Sequence, residues 1–211
     1  MYVDIHTHRP STEADVVSVV NAADFSAAHG FYSVGIHPWQ TAETTDMTFI
    51  KSLAHNAFAI GECGLDKLRG AALDVQLDVF RQHVALANQL SKPIIVHCVK
   101  CYGLILTESA DNEKYTPWIM HGCNASPEWI RSAQKHNIYF SLGPRQLNSA
   151  KAELLLKSIP AEKLFLETDD TEVCISEVYV IASRLMGVNL EELKQQIKRN
   201  FDSMTTLRQE S

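Results

Sequence analysis

Histidines and carboxylates recur in this sequence where extended, apolar runs stop. His6 and His8 stand two apart in Asp4-Ile5-His6-Thr7-His8, and His37 follows Gly35-Ile36. Glu62 and Asp66 share Gly61-Glu62-Cys63-Gly64-Leu65-Asp66. His97 follows Pro93-Ile94-Ile95-Val96, His121 follows Trp118-Ile119-Met120, and Asp169 closes Glu167-Thr168-Asp169 after Leu164-Phe165-Leu166. Residues i and i+2 of a strand point the same way, so His6 and His8 can reach one ion at roughly 2.0–2.1 Å. An HxH alone is a weak signal. With Glu62, His97, His121 and Asp169 each at its own strand end, packing stops being an adequate account. Buried imidazoles and carboxylates are costly without a partner, and a cation supplies one. Six ligands exceed the needs of one tetrahedral ion with an open position. Two divalent ions bridged by a carboxylate account for all six, and Glu62, with two oxygens to share, is the natural bridge. Asp169 can bind one ion and take a proton from the attacking water. The chemistry expected is therefore metal-assisted hydrolysis, with Glu62 and Asp169 as its catalytic carboxylates. The histidines favour Zn, Mn or Fe by ligand type, whereas Mg prefers all-oxygen shells.

The elements that must position these residues can be read from the apolar runs. Eight are strand-like: Tyr2–Ile5, Val16–Val20, Tyr32–Ile36, Ala57–Ile60, Pro93–Val96, Trp118–Met120, Ile138–Ser141 and Leu164–Leu166. They are apolar throughout rather than alternating, as parallel strands covered on both faces should be. Helical patterns lie between them. In 75–90, Val79, Phe80, Val84, Ala87 and Leu90 share a face. Ser126-Pro127-Glu128 opens a helix running toward His136. Residues 149–158 are Ala- and Leu-rich, and Asn189 caps 190–201. This alternation implies either a closed (β/α)8 barrel or an open doubly wound sheet. GxGxxG and GxxxxGK[ST] are both absent. An open sheet would spread the ligands along a line, while a closed barrel turns all the strand ends to one mouth, so the ligands select the barrel.

The chain has 211 residues and a formal charge of -6. One domain over 1–211 is expected, with no linker or repeat. No apolar run approaches the ~18 residues of a membrane span. The acidic balance argues against a broad nucleic-acid-coating surface, but not against a nuclease that grips phosphate through metal. Five cysteines without a secretory leader read as reduced thiols in a cytoplasmic protein, and the Cys98-x-x-Cys101 pair reads as structural. Barrels of this kind usually take about 250 residues, with ~200 a practical floor. Arg9–Asp15 is too short for a crossover helix, residues 21–31 hold one short helix at most, and Ser176 already begins a helical pattern soon after Asp170. The expectation is an α/β (β/α)8 TIM barrel, shortened, with its first crossover helix missing or reduced to a turn.

The motifs DIHTH (4–8), GIHP (35–38), AIGECGLD (59–66), KPIIVHC (92–98), HG (121–122), LFLETDD (164–170) and RNF (199–201) resemble those of the TatD family of metal-dependent hydrolases, in the amidohydrolase-like superfamily. They occur in the family's order over nearly the whole chain. The resemblance implies a TIM barrel with deoxyribonuclease activity. It implies that His6, His8 and Asp169 hold one ion, that His97 and His121 hold the second, and that Glu62 bridges them. His37 would lie by the site and touch substrate phosphate, or serve as a hydrogen-bonded structural histidine. Asp66 would anchor the loop after the fourth strand or meet substrate, and Asp4 would orient the mouth. Family assays point to Mg or Mn; Zn or Mn is the favoured pair here and Mg an alternative. The chain departs from the family at Val99-Lys100, where many members carry a phosphate-gripping arginine, and Lys100 is no equivalent fork. The usual proline after the LETD run is also missing. The expected partner is DNA or a small phosphoester, acted on by a monomer. The alternatives are hydrolysis of a small-molecule ester, amide or phosphate, and a metal-binding barrel without activity. A mouth lined by Lys67, Arg69, Lys100 or Arg145 with aromatics would favour a polymer.

Overall fold

The computed structural model describes residues 1–22, 29–42, 45–112 and 116–206. One eight-stranded, all-parallel sheet runs in the order β1 (Tyr2–Thr7), β2 (Val16–Asn21), β3 (Tyr32–Val34), β4 (Ala59–Asp66), β5 (Ile94–Val99), β6 (Trp118–Met120), β7 (Ile138–Leu142) and β8 (Leu164–Leu166). The last strand returns to the first. Thr7 bridges Asp169 in parallel, His8 N–H donates to the Asp169 carbonyl at 3.0 Å, and Asp169 N–H donates to the His6 carbonyl at 3.0 Å. The sheet thus closes as a TIM barrel, and its closing seam runs through residues flagged for chemistry. Val3, Ile5, Val34, Ile60, Leu65, Ile94, Val96, Ile119, Phe140 and Phe165 are fully buried or nearly so and form the core with the inner faces of the helices. Each such side chain contributes about 1.5–3 kcal/mol by leaving water.

The helices are α1 (Thr48–Ala54), α2 (Leu73–Leu90), α3 (Tyr102–Ala110), α4 (Pro127–Ala133), α5 (Pro144–Leu147), α6 (Ala152–Ser158), α7 (Ile175–Met186) and α8 (Leu190–Thr206). Ser126 Oγ accepts the Trp129 N–H at 3.3 Å, which with Pro127 in the first turn sets the start of α4. No helix separates β1 from β2, and the first half of β2 (Val16, Val17 and Ser18) is accordingly only half-buried. The short helix expected within 21–31 falls mainly on residues 23–28, outside the described residues.

Several strands run past their apolar runs, β4 and β5 furthest, while β3 stops at Val34, short of the Ile36 expected. The run at 57–60 predicts a strand ending at Ile60, but β4 continues to Asp66, and β5 continues past Val96 to Val99. Polar residues stay in the strands here because they point into the mouth rather than into the core. Gly64 makes the pairing possible: at φ +144° it passes so close to β5 that a Cβ would sit 2.1 Å from the His97 carbonyl oxygen. The helix expected over 149–158 is α6, which begins three residues later at Ala152, and the short α5 precedes it at Pro144–Leu147. Among the described residues no helix is long and apolar enough to cross a membrane.

Candidate metal centre

Glu62 lies in β4, buried, with its two carboxylate oxygens facing different neighbours. Oε2 lies 3.3 Å from His6 Nε2 and 3.7 Å from His8 Nε2. Asp169, across the barrel seam, places Oδ1 3.7 Å from His6 Nε2 and 3.6 Å from His8 Nε2. Oε1 lies 2.8 Å from His121 Nε2, 2.9 Å from His97 Nδ1 and 3.2 Å from His37 Nε2. Four of the residues expected to hold metal, His6, His8, His97 and His121, therefore converge on Glu62, and Asp169 joins them through His6 and His8. Their ligand atoms fall into overlapping groups that can hold an ion: His6, His8 and Glu62; His6, His121 and Asp169; His37, Glu62 and His97. His121 belongs with both sides of Glu62 rather than with His97 alone, and His37 reaches further in than a bystander.

The charges are arranged to match. Burial by itself would raise the Glu62 carboxyl, but the charge of His121 and hydrogen bonds from His121 and His37 outweigh it and hold it well below the usual carboxylate range. Burial likewise opposes a charge on His121, yet Glu62 and Glu167 together raise it well above an ordinary histidine. Asp169 is raised, first by burial and then by the nearby charge of Glu167.

These residues fit a cation. His6 Nε2, which faces both Glu62 Oε2 and Asp169 Oδ1, is buried without a hydrogen-bond partner. His97 Nδ1 and His121 Nε2 lie 3.2 Å apart while both face the same oxygen. Two protonated imidazole nitrogens would repel at that distance. Two bonds of about 2.1 Å meeting on one ion at 90–110° require ligand atoms roughly 3.0–3.4 Å apart.

A second layer of groups stands behind the first. Asp66 Oδ2 lies 3.5 Å from His97 Nε2 and accepts the Trp39 indole N–H at 2.6 Å, while Oδ1 accepts the Leu68 N–H at 2.7 Å. These bonds tie Asp66 to the loop after β4, and it also lines the cavity where substrate would lie. Glu167 Oε1 lies 3.5 Å from His121 Nδ1 and accepts the Gly122 N–H at 2.7 Å. Each carboxylate favours a proton on the far nitrogen of its histidine and leaves the near lone pair directed at the centre. His37 Nδ1 accepts the Trp39 N–H at 3.2 Å, so its proton sits on Nε2, which faces Glu62 Oε1 at 3.2 Å. Asp4 lies behind the seam, where its carboxylate accepts both the N–H (3.0 Å) and the hydroxyl (2.7 Å) of Thr168. Asn21, at the end of β2, donates to Glu62 Oε2 at 3.4 Å.

Glu167 and Asn21 carry no role in the sequence reading. Glu167 is adjacent in sequence to the metal-type residues, but its partner, His121, lies 46 positions away and only the fold pairs them. Nothing in the local sequence marks Asn21.

The centre opens into a cavity of about 690 Å3 whose rim includes Trp39, Leu68, Arg69, Arg145 and Asp170. Lys100, expected at the substrate, is exposed and is not among the lining residues, because β5 runs on to Val99 and carries it past the rim. The cations at the rim are Arg69 and Arg145. Arg145 donates from Nη2 to both Asp170 oxygens, at 2.7 and 3.0 Å, and from Nη1 to Asp169 Oδ2 at 3.3 Å.

Solved structures share this architecture. YJJV, a TatD homologue from Escherichia coli, superposes with a TM-score of 0.78 at 18% identity over 94% of this chain and 95% of that one. A hydrolase TatD family protein from Entamoeba histolytica gives 0.77 at 15% identity over 96% and 97%. Among curated relatives, a protein named uncharacterized metal-dependent hydrolase YabD, from Bacillus subtilis, is 35% identical over 66% of this chain and 58% of its own length. One named 3'-5' ssDNA/RNA exonuclease TatD, from Escherichia coli, is 30% identical over 65% of this chain and 56% of its own. The matched stretch thus spans little more than half the length of these relatives. The family described as TatD related DNase matches residues 6–205, a span that takes in the seam, Glu62, both later histidines and the last carboxylates. On that match, this chain belongs to the TatD-related DNase family.

Proposed function

We propose that the chain is a metal-dependent phosphodiesterase acting on DNA, with two divalent ions, Zn or Mn before Mg, held between β1, β4, β5, β6 and the end of β8. The observation that carries this is the division of Glu62, with Oε2 toward His6, His8 and Asp169 and Oε1 toward His37, His97 and His121. His6, His8 and Asp169 would hold one ion and His97 and His121 the other, with Glu62 between them. Bound ions would supply Lewis acidity at a phosphoryl oxygen and a water of lowered pKa.

The protein's own groups do the rest. Asp169 lines the open cavity beside His6 and His8, where it would be placed to take a proton from the attacking water. His37 donates Nε2–H toward Glu62 Oε1 and would steady that carboxylate beside the substrate. Arg145, held by Asp170, offers its guanidinium to phosphate beside Asp169. Asp66 and Glu167 orient His97 and His121. The cations and exposed tryptophan at the rim favour a nucleic-acid strand over a small ester. All six ligands come from one chain, so a monomer over 1–211 suffices. Five cysteines without a disulfide support a reducing, cytoplasmic setting.

The test is hydrolysis of labelled single-stranded DNA and of bis(p-nitrophenyl) phosphate by protein loaded with Mn or Zn. Glu62→Ala and Asp169→Ala should each lower the rate at least about 100-fold. Hydrolysis unchanged in either variant would overturn the assignment. Bound metal that never exceeds one ion per chain would overturn the two-ion centre.

A further inference from the structure

Trp39 is out of place for a residue of its type. It is 48% exposed, on the rim of the cavity, 6.0 Å between ring centroids from His97. An indole left in water at the edge of a polar centre has a cost unless something covers it. It is also not free to move. Its indole N–H is fixed on Asp66 Oδ2 at 2.6 Å, and His37 packs edge-on against it at 4.6 Å. The Arg69 guanidinium lies over its ring at 4.7 Å, so a planar cation and a planar aromatic are stacked at the rim.

The loop that carries Arg69 is fastened in place. Gln76, buried in α2, accepts the Asp66 N–H at 2.8 Å and donates from its one amide nitrogen toward the carbonyls of Asp66, Arg69 and Ala71 at 2.8–3.0 Å. Gly70, at φ +88°, brings the loop so close to the turn bearing Trp39 that a Cβ there would lie 2.3 Å from the Pro38 carbonyl oxygen. Leu68, 62% exposed, adds an apolar edge beside Arg69 on the same rim. A rigid aromatic with a stacked guanidinium, pre-set beside a phosphate-binding centre, takes up little ordering entropy when a flat ring lands on it.

We infer that Trp39 and Arg69 form a stacking platform for the base of a nucleotide adjacent to the bond being cut, which makes them specificity-determining residues. This rests on the phosphodiesterase reading above and adds the requirement for an unstacked base next to the scissile phosphate. Such a base is present at a single-stranded end and is withheld by a duplex. The platform reads a ring and not its hydrogen-bonding edge, so it favours nucleotides over base-free phosphodiesters without choosing sequence.

The experiment compares a short single-stranded oligonucleotide with the same strand carrying a tetrahydrofuran abasic unit at either terminus. Both are tested with Mn-loaded wild type, Trp39→Ala, Trp39→Phe and Arg69→Ala. Wild type should prefer an intact end over an abasic one by roughly 5- to 100-fold in kcat/KM. Trp39→Ala should collapse that ratio toward one, Arg69→Ala should reduce it, and Trp39→Phe should restore most of it. A general structural defect would lower both substrates and keep the ratio.

A second readout needs neither metal nor chemistry. In metal-free protein, adenosine monophosphate should quench part of the tryptophan emission, a part absent in Trp39→Phe, and ribose 5-phosphate should not. Wild type that cuts intact and abasic ends equally, or quenching that survives in Trp39→Phe, overturns the platform. If no phosphodiester is cut but adenosine monophosphate still quenches through Trp39, the hydrolase reading falls and the platform stands.

Discussion

The side chains in contact with the centre are arranged by carboxylates that never reach it. Glu167 is the clearest case. It is buried, it accepts the Gly122 N–H, and its charge together with that of Glu62 raises His121. Its own carboxyl would be raised by burial, but the hydrogen bond and charge of His121 turn the shift downward. Glu167→Gln keeps the shape and removes the charge. The expected outcome is a 10–100-fold loss of affinity for the ion nearest His121, read by competition with a chromogenic chelator, without loss of fold by circular dichroism. The ligating types were legible in the sequence because each chemical requirement fell on a separate strand end. Their orienting partners were not, since Glu167 and His121, or Asp66 and His97, meet only after the barrel brings distant strands together. The misplacement of Lys100 has a similar origin. Its position after an apolar run placed it at a strand end, but the strand does not end there. Arg145, from a four-residue helix with little pattern of its own, takes the rim position instead.

At the scale of elements, α2 links the helical layer to the site. His83 is buried on it, donates from Nδ1 to the Val79 carbonyl at 2.8 Å, and accepts the Ile36 N–H on Nε2 at 3.0 Å. It thereby fixes the end of the segment that delivers His37 and Trp39. Burial pushes its pKa down to about 4 from 6.5, despite the Val79 hydrogen bond. The unfolded chain takes up this proton as pH falls through about 6.5, and the folded chain only near 4, so the unfolded state binds more protons within that window. Stability from this residue is complete above about 6.5 and is lost as pH falls toward 4, by up to about 3 kcal/mol. Urea unfolding at a series of pH values should show that loss in wild type and a shallower one in His83→Gln, which keeps an acceptor but cannot be protonated. Equal slopes would remove His83 as a source of acid sensitivity. The sequence offered nothing here beyond a histidine in a helix. The strands were legible in number and order, since buried parallel strands are apolar throughout. Their ends in β4 and β5 were not, because a strand that enters an active mouth becomes polar while its ladder continues.

At the scale of the whole molecule, a barrel lacking its first crossover helix still brings all six candidate ligands together. The brevity of Arg9–Asp15 made that omission legible. The seam between β1 and β8 joins Thr7 to Asp169, between His6 and His8 on one side and at a candidate ligand on the other. Ions bound there should tie the two ends of the sheet together. At 100 times the dissociation constant, binding confined to the folded state adds about 2.7 kcal/mol, or roughly 5–10 °C in Tm for a chain of this size. Differential scanning fluorimetry with Mn or Zn should show that rise and a chelator should reverse it. Hydrogen exchange should show the amides of His8 and Asp169, which form the seam's hydrogen bonds, gaining the most protection. A Tm indifferent to metal would disconnect the seam from the centre.

The same seam sets a timetable for synthesis. Thr7 and Asp169 are 162 residues apart. At about 5–20 residues per second, roughly 10–30 s pass between the emergence of one and the other from the ribosome. During that interval the outer edge of β1 has no strand to pair with, and an unpaired edge is a template for neighbouring chains. A nascent chain halted before β8 should therefore need a chaperone's cover, and a truncation there should be recovered in the insoluble fraction.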